Sequence, residues 1–157
     1  MVIVMLTLTV NMNDALYQRT KYANTKAHVG IVADMMYDDL TQAGYHATAP
    51  VFTILSSNEI EFKGDIDNNG SVETVRYYTV PNGSNYKLYR RVDGGTALEV
   101  GQKFTSITLQ YYNLKGRITS NPDSVKAVRA NIIMSVEGAT GGFTTATKDF
   151  KIYPSNL

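Results

Sequence analysis

The residues best suited to chemistry in this sequence carry oxygen and fall within one short stretch, Asp65-Ile-Asp67-Asn-Asn69-Gly70-Ser71-Val-Glu73. Asp65, Asp67, Asn69, Ser71 and Glu73 alternate with other residues, and Gly70 permits a bend. That is the pattern of the first part of a calcium-binding loop, in which alternate side chains turn inward around the ion. Counting from Asp65, the twelfth position of such a loop takes a bidentate glutamate, and here it is Arg76. The expected ion is therefore Ca²⁺, held weakly by Asp65, Asp67, Asn69, Ser71 and Glu73. The same composition also makes a hairpin turn unaided, because Asp and Asn bond their own backbone and Gly accepts positive φ. Both readings stand.

The rest of the chain offers little to a catalyst. With no cysteine among 157 residues, disulfides, thiolate metal sites and cysteine nucleophiles are excluded. His28 and His46 are far apart in sequence and read as surface residues. No serine sits in a nucleophile elbow, and no glycine-rich phosphate loop joins a strand to a helix. Asp34, Asp38 and Asp39 crowd one helical region and read as a solvated face. Fifteen basic residues against fourteen acidic ones leave a formal charge of +1, so charge alone draws no nucleic-acid footprint. Arg76, Lys87, Arg90, Arg91, Lys115, Arg117, Lys126 and Arg129, interleaved with several tyrosines, form a basic aromatic surface only if one face gathers them. Strand alternation is expected to scatter them. No enzymatic activity is expected, and no small-molecule substrate is implied.

Two regions must position these residues: a helical one over 1–44 and a β-rich head over 45–157. Met1 to Val10 is apolar and uncharged, and ten residues rise only about 15 Å against a hydrocarbon core of about 30 Å. It reads as a helix tip buried among other proteins, or as the remainder of a longer apolar segment. From Asn11 to His28 only Met12, Leu16, Ala23 and Ala27 recur on a narrow stripe. From Val29 the stripe widens through Val32, Met36, Leu40 and Ala43, with Ile31 and Met35 beside them, which predicts packing on a core. Gly44 and Pro50 predict the helix end.

Short strands are expected at Val51–Leu55, Glu59–Lys63, Ser71–Val80, Tyr86–Val92, Thr96–Val100, Phe104–Tyr112, from Val128 through Val136, and at Phe143–Tyr153, with a break over Gly138–Gly142. Along the sixth, Thr105, Ile107, Leu109 and Tyr111 share a face. Along the seventh, Val128, Ala130, Ile132, Met134 and Val136 alternate with Arg129, Asn131, Ile133 and Ser135. Short turns between consecutive strands predict an α+β fold: one long helix over one face of a mostly antiparallel sheet.

The order of several local strings resembles the type IV pilin and pseudopilin family, most nearly its PilW-like minor pilins. Asp38-Asp-Leu-Thr-Gln-Ala-Gly-Tyr45 is similar to the string that closes the helix in that group. Glu61 through Tyr78 resembles the group's first hairpin. Leu88-Tyr-Arg-Arg, Thr108-Leu-Gln-Tyr-Tyr112, Val125 through Ile133 and Tyr153-Pro-Ser-Asn-Leu157 follow in the same order, so the resemblance spans most of the chain. The prepilin signature, a Gly cleavage site followed by an aromatic residue and then a Glu, is absent, which places the expected start of the mature protein upstream of Met1. The resemblance implies a filament subunit that contacts other pilins through its helix. It also implies residence in the inner membrane before assembly, then in a periplasmic or cell-surface filament. The alternative is a secreted or soluble β-rich binding domain, calcium-dependent, that uses the helix to oligomerise.

Overall fold

The computed structural model describes residues 2–137 and 142–157, with side chains from residue 12 onward. Helix α1 spans Val2–Thr41, a length permitted by the lack of proline and the presence of a single glycine, Gly30. The side chains of the apolar tip, Met1 to Val10, lie outside the described residues, as does most of the break expected over 138–142. Among the described residues no helix is long and apolar enough to cross a membrane.

Seven strands follow: β1 (Phe52–Leu55), β2 (Glu59–Gly64), β3 (Glu73–Asn82), β4 (Asn85–Val92), β5 (Leu98–Tyr112), β6 (Ala127–Glu137) and β7 (Phe143–Ile152). A short 3₁₀ turn, Pro122–Ser124, lies before β6. The strands form one sheet in chain order, each antiparallel to the next. The architecture is α+β, one N-terminal helix and a seven-stranded antiparallel sheet.

The core lies between the second half of α1 and one face of the sheet. Val29, Val32, Ala33, Met36, Leu40 and Ala43 are buried together with Phe104, Ile107, Leu109, Val128, Ala130 and Ile132. Ala33 replaces the expected neighbours on this stripe: Ile31 is 63% exposed and Met35 only half-buried. The helix is slightly rotated relative to the predicted face. His28, read as a surface residue, is half-buried and stacks on Phe104 with ring centroids 6.0 Å apart.

The structure joins two predicted strands, Thr96–Val100 and Phe104–Tyr112, into the single fifteen-residue β5. A bulge makes this possible. Lys103 takes a φ of +66°, and the pairing register with β6 shifts between Phe104 and Ser106. One extra residue reverses the alternation. Phe104 therefore faces the core, and Thr105, expected to share a face with Ile107, Leu109 and Tyr111, is exposed.

At the end of α1 the last turn tightens, with Gln42 N–H donating to the Asp39 carbonyl at 3.1 Å and Ala43 N–H to the Leu40 carbonyl at 3.2 Å. Gly44 then adopts a φ of +85°, as a glycine after a helix should. Its N–H donates to the Lys63 carbonyl at 2.8 Å, and Asp65 N–H donates to the Tyr45 carbonyl at 3.0 Å. A Cβ on Gly64 would stand 2.2 Å from the Gln42 carbonyl oxygen, so only glycine allows β2 to pass this close under the helix end.

Candidate functional site

That close passage places the acidic loop. β2 ends at Gly64 and β3 starts at Glu73, directly opposite each other in register, so Asp65 to Val72 must turn between them. Positive φ at Asn68 (+58°) and Gly70 (+88°) makes the turn. Asp65 lies fully buried beneath it and Glu73 is nearly so, while Asp67, Asn69 and Ser71 are exposed.

Three of the loop's backbone N–H groups, those of Ile66, Asn69 and Gly70, point at these carboxylates. Asp65 Oδ1 accepts from Asn69 N–H at 3.0 Å and Asp65 Oδ2 from Gly70 N–H at 2.9 Å. Glu73 Oε2 accepts from Ile66 N–H at 3.0 Å. Asp67 accepts from the Asn69 amide side chain at 2.9 Å, and Asn69 Oδ1 accepts from Ser71 N–H at 2.8 Å. These bonds are what an Asx-rich turn makes for itself, and they satisfy the buried acid.

The same folding gathers charge. Asp65, Asp67 and Glu73 each offer a carboxylate oxygen, and the three lie within 4.8 Å of one another. Oxygen-only donors of this kind suit a hard divalent cation such as Ca²⁺. The set is incomplete. The Asn69 oxygen is turned to Ser71 N–H, and Arg76, at the twelfth position, leaves the loop to donate its Nε to Glu59 Oε1 at 2.5 Å. The structure thus brings Asp65, Asp67 and Glu73 together and leaves Asn69 and Ser71 at the exposed rim.

One neighbour was not legible in the sequence. His46 Nδ1 lies 3.2 Å from Asp65 Oδ2, nineteen residues away, and its ring stacks on Tyr45 at 4.1 Å between centroids. Only the pairing of the chain after α1 with the end of β2 brings them together. Asp39 likewise departs from its expected place on a solvated face. Arg90 Nε donates to Asp39 Oδ2 at 2.6 Å and Arg90 Nη2 to Asp39 Oδ1 at 3.3 Å, and the Tyr77 hydroxyl donates to Asp39 Oδ2 at 2.6 Å. Burial, reinforced by the Asp39 charge, pushes the Tyr77 phenol well above its ordinary range. Asp34 and Asp38 remain exposed.

The basic aromatic surface is split. Tyr77 and Tyr111 are buried and Arg90 is held by Asp39. Elsewhere cations are matched by acids: Arg76 with Glu59, Lys87 with Glu99 at 2.8 Å, and Arg129 with Asp149 at 2.8 Å. The hydrogen bond from Lys87 holds the Glu99 carboxyl below the usual range, and that from Arg129 does the same for Asp149. Tyr78 and Tyr89 stack on each other at 5.6 Å.

Against protein-family models, curated proteins and solved structures, the chain finds no match.

Proposed function

We propose that this chain is a structural subunit of a type IV filament, a minor pilin or pseudopilin, that assembles through α1. The observation that carries the reading is the division of α1. Its second half is buried on the sheet, and its last described side-chain hydrogen bonds to the sheet toward the N-terminus are Lys21 Nζ donating to the Glu137 carbonyl and Thr144 Oγ1 donating to Gln18. Beyond Gln18 the helix continues to Val2, about 24 Å at 1.5 Å per residue. Met12 and Leu16 on this extension are 61% and 55% exposed. A helix this long, extending sixteen residues past its last described hydrogen bond to the sheet, has a reason to exist if other subunits cover it. Burial there contributes roughly 25 cal/mol per Å² of apolar area. The work of such a subunit is packing rather than catalysis, with the sheet facing outward. Its place is the inner membrane before assembly and the filament afterwards.

Photo-crosslinking residues introduced at Leu16 and Tyr17, in cells that make the protein, test this. Adducts with the helices of other pilin-like proteins are the expected result. Adducts only between copies of this chain, in a soluble oligomer, would instead favour a calcium-dependent binding domain, for which the 4.8 Å carboxylate cluster is the supporting observation.

A further inference from the structure

We propose that the sheet face opposite α1, across β5, β6 and β7, binds an anionic saccharide, a sugar ring bearing one carboxylate or phosphate. The inference stands independently of the filament reading. Register builds the surface. Thr108, Asn131 and Asp149 form one row across the three strands, and Gln110, Arg129 and Lys151 form the next. The third row sets Tyr112 opposite Ala127, with Tyr153 following Ile152, the partner of Val128. Ala127 is buried beneath this row, Tyr112 is half-buried and Tyr153 is exposed, while polar side chains occupy the rows beside them.

Thr108, Gln110, Arg129, Asn131 and Asp149 line a shallow pocket of about 250 Å³. Its side chains are fixed by one another: Asn131 Nδ2 donates to Asp149 Oδ2 at 3.2 Å, Arg129 grips Asp149 through Nε at 3.0 Å and Nη2 at 2.8 Å, and the Tyr112 hydroxyl donates to Gln110 Oε1 at 3.0 Å. Among the described residues these bonds leave the Gln110 side-chain N–H groups and Asn131 Oδ1 for a ligand. Hydroxyls, which both donate and accept, suit that mixture. An array held in place before binding loses little freedom when a ligand arrives.

Charge selects the kind of sugar. Arg129 is balanced by Asp149, but Lys151 has no carboxylate within ion-pair distance among the described residues. Its ammonium instead lies 3.9 Å from the Tyr112 ring centroid and 5.1 Å from that of Tyr153. The surface therefore presents one uncompensated positive charge, seated over the Tyr112 ring, beside the exposed Tyr153 ring and a hydroxyl-binding array. A ring with an apolar face, several hydroxyls and one anionic group complements all three. A nucleic-acid strand needs a train of cations to follow its phosphates, and this face offers one.

The test is an amide-resolved NMR titration of the full chain with glucuronate, glucose 6-phosphate, glucose and a short oligothymidylate. Glucuronate or glucose 6-phosphate should cause saturable shifts at 108–112, 127–131 and 149–153, and the tighter of the two identifies the anionic group. Glucose should bind about tenfold more weakly. Lys151→Gln should reduce the anionic sugar to the affinity of glucose, and Tyr153→Ala should weaken all three sugars about tenfold, both with unchanged melting curves. Equal affinity for glucose and the charged sugars, shifts centred elsewhere, or no saturable shift with either charged sugar would overturn the proposal. Tighter binding of the oligothymidylate at these same amides would replace the sugar with a nucleic acid.

Discussion

From Val29 to Leu40, α1 buries five apolar side chains almost completely, whereas from Met12 to Asn24 the same helix exposes Met12, Leu16, Tyr17 and Tyr22 to solvent. Both halves obey the same backbone geometry and both carry methionine, leucine or isoleucine, and valine or alanine. What separates them is whether a sheet lies opposite. Helical stability in a protein comes mainly from packing one face, so the buried half should carry the domain's stability and the exposed half almost none.

The largest effect is expected from Met36→Asp, which puts an unpaired charge among buried neighbours and should cost about 4 kcal/mol. Chemical denaturation measures it. A substituted protein as stable as the parent would dissolve the distinction between the two halves.

A second effect belongs to the polar tie between the buried half and the sheet, Asp39 with Arg90 and Tyr77. The folded Tyr77 phenol holds its proton above the value near 10 at which the unfolded chain releases it. The unfolded state therefore binds fewer protons above about pH 10, and the stability that this tyrosine contributes, complete below that pH, is lost progressively as pH rises beyond it. Tyr77→Phe should flatten the fall in denaturation midpoint between about pH 9 and 11. Some fall should persist, because burial also raises the Tyr111 phenol. Identical pH profiles for the two proteins would mean that the Tyr77 phenol is not buried beside Asp39 in solution.

A smaller effect tests the loop beneath the helix end. If Asp65, Asp67 and Glu73 hold Ca²⁺ with a dissociation constant of about 1 mM, then about 5 mM Ca²⁺ stabilises the folded state by about 1 kcal/mol. For a chain of this length that raises the melting temperature by roughly 2–4 °C. Asp67→Ala should remove the rise without unfolding the domain. Calorimetric curves that coincide with and without Ca²⁺ leave the loop as a turn satisfied by its own N–H groups.

The smallest effect completes the contrast within α1. Leu16→Asp, chemically the same kind of change as Met36→Asp, should move stability by less than about 0.5 kcal/mol, because Leu16 is 55% exposed in the isolated chain. Its consequence should appear instead in assembly, as lost crosslinks at Tyr17. A large loss of stability would mean that the first half of α1 belongs to the domain.

What the sequence determined by itself lies in neighbouring residues. The alternation from Val128 to Val136, the stripe Val29-Val32-Met36-Leu40-Ala43, the helix stop at Gly44 and the turn over Asp65 to Gly70 are legible because their causes act within a few bonds: pleat, helical period, and the freedom of glycine. The tertiary structure alone decided the union of two strands into β5, the exposure of Thr105, and the placing of Asp39 against Arg90 and His46 against Asp65. Each depends on which strand lies beside which, and in what register. The register shift between Phe104 and Ser106, with Lys103 held at positive φ beside it, carries a local cost and is worth forming because it turns Phe104 into the core. Asp39 and Arg90, fifty-one residues apart, meet only once α1 has settled on the sheet. Local preferences fix the elements; the energy that chooses partners between distant elements is not written in any one of them.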